Sequence, residues 1–563
     1  MRFIFVIIIS TFLIETSSDI NGGLLLPDGF EAIVVVDSLA GSARHIAVNH
    51  NGDIYVRFRQ SSAAGSNVAI RDTDGDGKAD VISKFDFDYD KNDNNGTEMR
   101  IYKGYLYYSS TGKIYRQKLI EGQLLPDAKK ELILTDDYLN DPFGYNHTAK
   151  TIAFDDKGKM YVTYGSPGDV CQIADRVPGE PGQDPCPQLD EHAGIWVFDP
   201  NKLDQTIKNG KRYATGIRSA VAITWNTEDK YIYVLQHGRD DLYRSWPNKY
   251  SRWQSANLPA EEMLRIKEGS NAGWPYYYYD HIQGKKLLNP EYGGDGKKAG
   301  KGAEYEQPIM AFPGHWAPND ILFYTGNQLP ARYKKGAFIT FHGSTIRSPF
   351  SQAGYFVAFV PFSDGLPNGK WEVFADGFTG IDVIQNTSEA AHRPMGLAQG
   401  PDGSLYVTDS QKGKIWKIMY KGENKDFGLS QLEQMEKRKL SAHIKTPDEF
   451  KDNLEIKEAV GGERIYNTYC ANCHLIDGKG DGLRFPSLEN SEYVNGNKRR
   501  LINILLNGFK QNITVKGKQF NSIMPSHSFL SDDDAALVLT YVRQNFKNNA
   551  SPILAKDINK LRK

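Results

Sequence analysis

The chain of 563 residues has no marked excess of charge of either sign. It contains 68 Lys and Arg against 69 Asp and Glu. This balance gives no reason to expect nucleic acid or an anionic membrane surface as a partner, because both attract proteins with an excess of basic residues. Beyond its first residues the chain also lacks an apolar run that could cross a membrane, which takes roughly 20 residues. The length allows two or more domains, each with a sizeable core.

The N-terminal segment predicts export. Arg2 precedes an apolar run from Phe3 to Ile14, and four polar residues follow. A basic start and about a dozen apolar residues are typical of a secretory signal. We interpret residues 1–18 as a signal peptide and expect a periplasmic or secreted protein. A buried N-terminal strand and an uncleaved anchor stay open as alternatives.

Cysteine is scarce, and two of the four cysteines predict a haem. Cys470 and Cys473 stand in the sequence Cys-Ala-Asn-Cys-His, the C-x-x-C-H pattern of haem attachment. The two thiols bond to the haem vinyl groups, and His474 presents its imidazole to the iron. No second cysteine pair follows to complete a zinc site, and thioredoxin-like redox motifs lack the histidine. The pattern therefore predicts a covalently bound haem c.

The iron needs a second axial ligand on the opposite face of the haem. Met524 lies downstream in Ser-Ile-Met-Pro, and a thioether ligand raises the reduction potential of haem iron. We expect Met524 to be this ligand, with His527 as the second candidate.

The other two cysteines, Cys171 and Cys186, enclose a loop rich in Pro and Gly. In an exported protein this spacing favours a disulfide, which stabilises the fold by about 3 kcal/mol on chain-entropy grounds. A metal site is the alternative.

A turn followed by an apolar and aromatic strand recurs six times before residue 420. Several copies follow Asn-Gly, Lys-Gly or Asp-Gly turns, which favour β-hairpins. Six such copies predict an all-β six-bladed β-propeller, with an open sandwich or several unrelated sheets as alternatives. The copies cover residues 52–56, 104–108, 158–162, 230–234, 336–340 and 403–407.

The pattern changes after Tyr420. Residues 421–455 are rich in Lys and Glu and predict a charged linker with some helix. From residue 456 apolar residues recur at helical spacing, including a last amphipathic helix from Asp533 to Phe546. We expect a propeller over residues 25–420, a small all-α cytochrome domain over residues 456–548, and a tail over residues 549–563.

Alternating carboxylates between residues 72 and 80 suggest a cation. Asp72, Asp74 and Asp76 are spaced as in a calcium loop, but Ser83 stands at the twelfth position, where such loops carry a Glu. A structural calcium and a plain polar loop remain open.

Several loops of the repeat region carry His and Arg in distinctive segments. Residues 25–420 resemble in these segments the soluble glucose, sorbosone and pyranose dehydrogenases that depend on pyrroloquinoline quinone (PQQ), and the C-terminal part resembles a class I cytochrome c. The matching segments are Asn146-His147-Thr148, Gly216-Ile217-Arg218-Ser219, His237-Gly238-Arg239-Asp240-Asp241, His342-Gly343-Ser344-Thr345-Ile346-Arg347 and Arg393-Pro394.

The resemblance implies a role for each matched residue. His147 would be the catalytic base, and the carbonyls of Gly238 and Arg239 would bind calcium below the quinone. Ser219 stands where the glucose-oxidising members carry Asn, so that particular contact is not expected. The residues that the resemblance assigns to PQQ are Arg218, Arg239, His342, Arg347 and Arg393.

The chemistry of PQQ agrees with this set, because its three carboxylates match the planar forks of several arginines. We expect an enzyme that oxidises an aldose or related sugar or polyol with PQQ and calcium and passes electrons to its haem c. An external electron acceptor, such as another cytochrome, would be its partner. The alternatives are a metal-dependent propeller lactonase and a non-enzymatic sugar-binding propeller that carries an electron-transfer cytochrome.

Overall fold

The computed structural model describes residues 20–562 except 40–41, 61–64, 88–95, 145, 424–426, 449–460, 510 and 521. The predicted signal peptide, residues 1–18, lies outside the described residues.

Six antiparallel sheets of at least four strands form the blades of a propeller, so the predicted fold class is confirmed. Each of the six strands predicted from the repeats is the second strand of its blade. In chain order the blades are Ala43–Val48, Ile54–Phe58, Asn67–Arg71 and Val81–Phe85 (blade 1); Met99–Tyr102, Tyr105–Ser109, Lys113–Lys118 and Glu131–Thr135 (blade 2); Ile152–Phe154, Met160–Tyr164, Gly194–Phe198 and Lys211–Thr215, with Ser270–Asn271 added at its edge (blade 3); Ala220–Asn226, Tyr231–Gln236, Glu261–Ile266 and Met310–Phe312 (blade 4); Pro318–Phe323, Ala337–Phe341, Phe356–Val360 and Glu372–Ala375 (blade 5); and Pro394–Gln399, Leu405–Asp409, Ile415–Tyr420 and Phe30–Val36 (blade 6).

The blades close into a ring. Each first strand contacts the first strand of the next blade, and the first strand of blade 6 contacts that of blade 1. The N-terminal strand Phe30–Val36 supplies the outer strand of blade 6 by pairing antiparallel with Ile415–Tyr420. The two ends of the repeat region are thereby joined, which leaves no open end in the ring.

The core of the propeller is divided into apolar layers between neighbouring blades. The layer between blades 5 and 6 contains Phe30, Phe338, Phe374 and Trp416, and similar layers separate the other pairs. Burial of large apolar side chains at about 25 cal/mol per Å² is the main stabilising contribution in such a fold.

Blade 4 carries the long insertions. Helices α1 (Leu242–Ser245) and α2 (Arg252–Asn257) follow its second strand, and a hairpin of Tyr277–Asp280 and Lys285–Leu288 follows its third. A further short hairpin, Phe362–Ser363 with Leu366–Pro367, extends blade 5.

The predicted linker lies against the propeller. Helix α3 (Leu429–Arg438) buries Met435, and Arg438 Nη2 donates to the carbonyl of Leu26 at 2.6 Å. After the helix, His443 Nε2 lies 2.8 Å from the carboxylate of Asp376. The charged composition therefore accompanies a segment with several fixed contacts to the propeller.

The C-terminal domain is helical, as predicted, with one addition. A two-stranded hairpin, Ile513–Val515 with Lys518–Phe520, lies between its helices, so the domain is not purely α. The predicted tail contributes Ile553 and Ile558 to the same apolar core. The helices are α4 (Gly461–Tyr469), α5 (Ala471–His474), α6 (Glu492–Asn495), α7 (Lys498–Asn507), α8 (Asp532–Gln544) and α9 (Ala555–Asn559).

Candidate functional site

The predicted site residues of the propeller meet at one of its ends. In an antiparallel pair the start of the first strand and the end of the second lie at the same edge. His147, Arg218 and Arg393 precede first strands, whereas Gly238 and Arg347 follow second strands. The topology therefore brings these distant segments around one mouth of the central channel.

A cavity of about 560 Å³ lies at this mouth and continues into the C-terminal domain. Its lining includes Arg59, His147, Arg176, Asp240, Cys470, Cys473, His474, Arg484, Met524 and His527.

His147 is a neutral imidazole beside the cavity. Its Nδ1 lies 2.7 Å from the carbonyl oxygen of Ser166. Because a carbonyl can only accept a hydrogen bond, Nδ1 carries the proton and Nε2 keeps its lone pair. Burial and the positive charges of Arg218 and Arg176 lower the pKa of His147 to about 3. Near neutral pH His147 is therefore unprotonated at Nε2, and its lone pair is free to accept a hydrogen bond from a hydroxyl group.

Arg218 is the centre of a buried charge network. It pairs with Asp169 and lies 3.3 Å from Asp240, while Arg176 lies 3.1 Å from the same Asp240 oxygen. Burial opposes ionisation of Asp240, but the two guanidinium groups outweigh it and lower its pKa. The network keeps a carboxylate charged at the edge of the cavity.

The carbonyl of Gly238, a predicted calcium ligand, accepts a hydrogen bond from Arg218 Nη1 at 2.8 Å. A carbonyl oxygen has two lone pairs, so a cation bound to Gly238 would share this oxygen with Arg218. The backbone here is fixed by Glu261, which accepts hydrogen bonds from Gly238 N at 3.1 Å and Ala317 N at 3.2 Å.

The guanidinium of Arg239 is occupied within the protein. It pairs with Glu291, which also accepts a hydrogen bond from Trp246 Nε1 at 2.7 Å. Both charged side chains are buried. Like Arg218, Arg347 and Arg393, Arg239 is not among the residues that line the cavity. Its guanidinium is engaged by Glu291 in this arrangement.

His342 and Arg393 form a second polar unit. Arg393 Nη2 donates to His342 Nδ1 at 2.8 Å and to the Gly343 carbonyl at 2.6 Å. Because a guanidinium can only donate, His342 Nδ1 accepts and its Nε2 donates to Ser410 Oγ at 2.6 Å. His342 is therefore neutral, and its Nδ1 holds the Arg393 guanidinium in place through this hydrogen bond.

Several buried polar atoms in this region have no hydrogen-bond partner. They are the Nε atoms of Arg44, Arg218 and Arg347 and the hydroxyl of Tyr355. The ring of Tyr355 lies 5.9 Å from the Arg393 guanidinium. An unsatisfied buried polar group costs about 1–3 kcal/mol, so several together fit a ligand with multiple acceptor groups. A planar tricarboxylate such as PQQ meets that requirement.

The cytochrome side of the cavity contains the predicted haem ligands. Cys470 and Cys473 carry free thiols, and His474 Nδ1 lies 3.0 Å from the carbonyl of Pro486, which leaves Nε2 free to coordinate a metal. Met524 is held by two backbone hydrogen bonds with Phe509, of 2.8 and 2.9 Å. Two thiols, an imidazole and a thioether around one cavity fit a covalently attached haem.

The alternative axial ligand lies in the same cavity. His527 Nδ1 is 2.9 Å from the carbonyl of Pro525, and its Nε2 is buried without a partner. Met524 and His527 therefore both remain candidates for the sixth coordination position.

Polar contacts fix the C-terminal domain on the propeller. Asn472, between the two haem-attachment cysteines, donates to the carboxylate of Asp241. Arg484 Nη2 lies 3.0 Å from Thr345 Oγ1, and Asn386 Nδ2 donates to the carbonyl of Gly480 at 2.6 Å. These contacts hold the haem-attachment motif against the mouth of the propeller.

Family comparisons cover both domains. Residues 88–344 match the glucose/sorbosone dehydrogenase family, residues 288–421 match the TrAA12-like family and residues 459–546 match the cytochrome c family. Cytochrome c-552 of Thermus thermophilus is 33% identical over 110 residues, which cover 83% of that protein and 18% of this chain. The chain is a glucose/sorbosone dehydrogenase propeller fused to a cytochrome c.

A further relative matches a large part of the chain. An uncharacterised protein of Borreliella burgdorferi is 24% identical over 433 residues, which cover 74% of this dehydrogenase–cytochrome and 97% of that protein. The cytochrome c domain implies haem c, and its union with a sugar dehydrogenase domain makes the chain a cytochrome-linked oxidoreductase.

Solved structures share the fold of the propeller. The calcium structure of the Trichoderma reesei carbohydrate-active enzyme of family AA12 has 18% identity and a TM-score of 0.57, and it covers 71% of this chain and 97% of that chain. The holo form of the pyranose dehydrogenase PQQ domain from Coprinopsis cinerea has 19% identity and a TM-score of 0.55, with 70% and 97% covered. At these identities the likeness supports the six-bladed fold alone.

Sequence reasoning missed several charged residues of the site in this dehydrogenase–cytochrome. Arg44 lies near the start of the first strand of blade 1, as Arg218 and Arg393 do in their blades, so an alignment of the repeats would have found it. Asp169 and Arg176 lie in an irregular loop, where no repeat pattern marks them. Arg484 belongs to the other domain, and no local pattern predicts that it reaches the propeller.

The predicted disulfide between Cys171 and Cys186 is present. It closes the loop that carries Arg176. Asp169 lies just before this loop, and its carbonyl accepts a hydrogen bond from Trp274 Nε1 at 2.8 Å. The covalent bond therefore restrains the loop that supplies the charge of Arg176 to the site.

The acidic loop of blade 1 differs in detail from the prediction. Asp72 and Asp74 approach Asp80, with oxygens of all three within 4.8 Å. Asp76 is not part of this group, and its carboxylate accepts a hydrogen bond from Lys78 N at 2.7 Å.

Within the described residues, none of the helices is long and apolar enough to cross a membrane.

Proposed function

We propose that this dehydrogenase–cytochrome oxidises an aldose, or a related sugar or polyol, with PQQ as hydride acceptor and passes the electrons to its own haem c. The observation that carries the proposal is the shared cavity, whose lining contains both His147 and the haem-attachment residues Cys470, Cys473 and His474. Both redox steps would then occur within one enclosed space.

His147 would act as the general base. Its protonated Nδ1 donates to the carbonyl of Ser166. The Nε2 lone pair can therefore take the proton of a substrate hydroxyl while a hydride leaves the carbon that bears this hydroxyl. Oxidation of a hemiacetal in this way gives a lactone. Burial, Arg218 and Arg176 lower the pKa of His147 and keep it neutral, so that the Nε2 lone pair is free.

The quinone would be held by the guanidinium groups of Arg218, Arg347 and Arg393, with His342 orienting Arg393. When bound, PQQ would supply the hydride acceptor and release electrons singly to the haem. The partnerless Nε atoms of Arg218 and Arg347 support this assignment. Because the guanidinium of Arg239 pairs with Glu291, Arg239 would contribute to the site only through its backbone carbonyl.

Calcium would bind at the carbonyls of Gly238 and Arg239, where it would polarise the quinone carbonyl as a Lewis acid. Glu261 would support this function by fixing the Gly238 backbone. In the haem domain Cys470 and Cys473 would bond covalently to the haem, and His474 and Met524 would bind its iron.

The Cys171–Cys186 disulfide and the haem-attachment motif support a periplasmic or secreted location, because disulfides persist in oxidising compartments. The electrons would leave the haem for an external acceptor, such as another cytochrome or a respiratory-chain component.

The test is substrate-driven haem reduction. Haem-loaded protein would be reconstituted with PQQ and calcium, mixed with a panel of aldoses and polyols, and followed by the absorbance of the reduced haem. Reduction that requires sugar, PQQ and calcium together is the expected result. Sugar binding without haem reduction would favour a non-enzymatic sugar-binding propeller, and lactone hydrolysis without PQQ would favour a lactonase.

A further inference from the structure

A loop of the cytochrome domain reaches into the carboxylate-binding end of the propeller. Arg484 Nη2 donates to Thr345 Oγ1 at 3.0 Å, and Thr345 is fully buried. Thr345 lies in the same loop as Gly343, whose carbonyl accepts from Arg393. One loop of blade 5 is therefore contacted by a guanidinium from each domain.

The position of Arg484 is fixed within its own domain. Its Nε lies 3.0 Å from the carboxylate of Asp481. The other oxygen of Asp481 accepts backbone hydrogen bonds from residues 483, 484 and 485 at 3.0, 2.7 and 2.8 Å. Arg484 is thus presented to the cavity on a rigid turn.

The propeller surface that Arg484 meets is already positively charged. Arg484 lines the cavity together with Arg59. Burial lowers the pKa of Arg59, and Arg484 is the largest charged contribution to that lowering. Arg44 and Arg393 belong to the same group, because Arg59 and Arg393 both lower the pKa of Arg44.

Arg44, Arg59, Arg393 and Arg484 repel their neighbours within this group, and the carboxylates of Asp481 and Glu98 oppose that repulsion. Placing a fourth cation at this surface is favourable when an anion lies between the two domains. Charge-assisted hydrogen bonds from arginine to carboxylate are the contacts that this geometry offers.

We propose that Arg484, from the cytochrome domain, completes the quinone site of the propeller by binding a carboxylate of PQQ together with Arg59. This inference rests on the proposed use of PQQ. Because linkage is reciprocal, bound quinone would strengthen the docking of the cytochrome to the same extent that docking strengthens quinone binding. Electron transfer would then be favoured when the quinone is present.

The experiment measures PQQ affinity on the haem-loaded full chain with calcium, by equilibrium titration. In Arg484→Gln the dissociation constant for PQQ is expected to rise about tenfold or more, as loss of a charge-assisted hydrogen bond implies. Arg484→Lys should show a smaller rise, because it keeps the charge and loses the fork. Arg499→Gln, an exposed arginine of the same domain, is the matched control and should change the constant less than twofold.

A second measurement reports docking without turnover. Hydrogen exchange of residues 481–486 should slow when PQQ is added to the unaltered protein, and it should not respond in Arg484→Gln. An unchanged haem spectrum in the variant shows that its domain is folded. Thr345→Val, which removes the hydroxyl partner of Arg484, provides an independent variant with the same expected direction.

The outcomes separate the two proposals. If the unaltered protein binds PQQ and Arg484→Gln binds it equally well, the role of Arg484 is wrong while the quinone function stands. If the unaltered protein does not bind PQQ, the proposed function itself is wrong.

Discussion

At the scale of single residues, the chemistry depends on the protonation state of His147. Unperturbed histidine titrates near pH 6.5, but burial, Arg218 and Arg176 lower the pKa of His147 to about 3. A base with this pKa is neutral, and therefore active, at every pH above about 3. We expect the rate of haem reduction by sugar to show no histidine titration between pH 5 and 8.

The same argument predicts the direction in which one substitution shifts the pH–rate profile. Arg176→Gln removes one of the positive charges that hold His147 neutral and leaves Asp240 with one guanidinium fewer. Both changes favour protonation, so the acid limb of the pH–rate profile should move to higher pH. Lys129→Gln, which removes an exposed cation of blade 2, should leave the profile in place. A limb that moves to lower pH in Arg176→Gln would contradict the assignment of His147 as the base.

At the scale of elements, the cytochrome domain depends on a close crossing of its first and last long helices. A Cβ atom at Gly462 of α4 would lie 2.2 Å from the Leu537 carbonyl and 2.7 Å from Tyr541 Cβ of α8. Neither backbone can yield without separating the helices. Gly462→Ala should destabilise the domain by about 1–3 kcal/mol, as overpacking does.

Chemical denaturation followed through the haem absorbance would measure this loss. Arg464→Ala, an exposed position of the same helix, should change the midpoint little. Equal midpoints for Gly462→Ala and the unaltered protein would show that the helices do not pack through Gly462.

Most strands and helices could be predicted from the sequence, whereas the tertiary contacts between distant segments could not. The strands repeat a local pattern, so the six blades and the places of Arg218, Arg347 and Arg393 follow from periodicity and resemblance. The pairing of Arg239 with Glu291 depends on an insertion far away in sequence, where local patterns carry no signal. The packing of Ile553 and Ile558 into the haem domain is a tertiary contact of the same kind.

At the scale of the whole molecule, the central feature is the direct docking of the haem-attachment motif on the propeller. Asn472 lies between the two haem-bonding cysteines and donates to Asp241, whose carboxylate also pairs with Arg176 and Arg244. A neutral amide is well suited here, because it adds no charge to a network that is already paired. The contact keeps the haem and the proposed quinone in one cavity without a freely moving carrier.

Asn472→Asp tests whether this docking sets the rate of electron transfer between the domains. The new carboxylate would face Asp241 at hydrogen-bond distance, where like charges repel and no donor remains between them. We expect the first-order rate of haem reduction after rapid mixing with sugar to fall at least tenfold, while PQQ affinity changes much less because the arginines are untouched. Asn503→Asp, on α7 of the same domain, adds the same charge away from Asp241 and should leave the rate unchanged. The comparison requires equal covalent haem content in all three proteins. An unaltered rate in Asn472→Asp would mean that electrons reach the haem by a route that does not need the contact between Asn472 and Asp241.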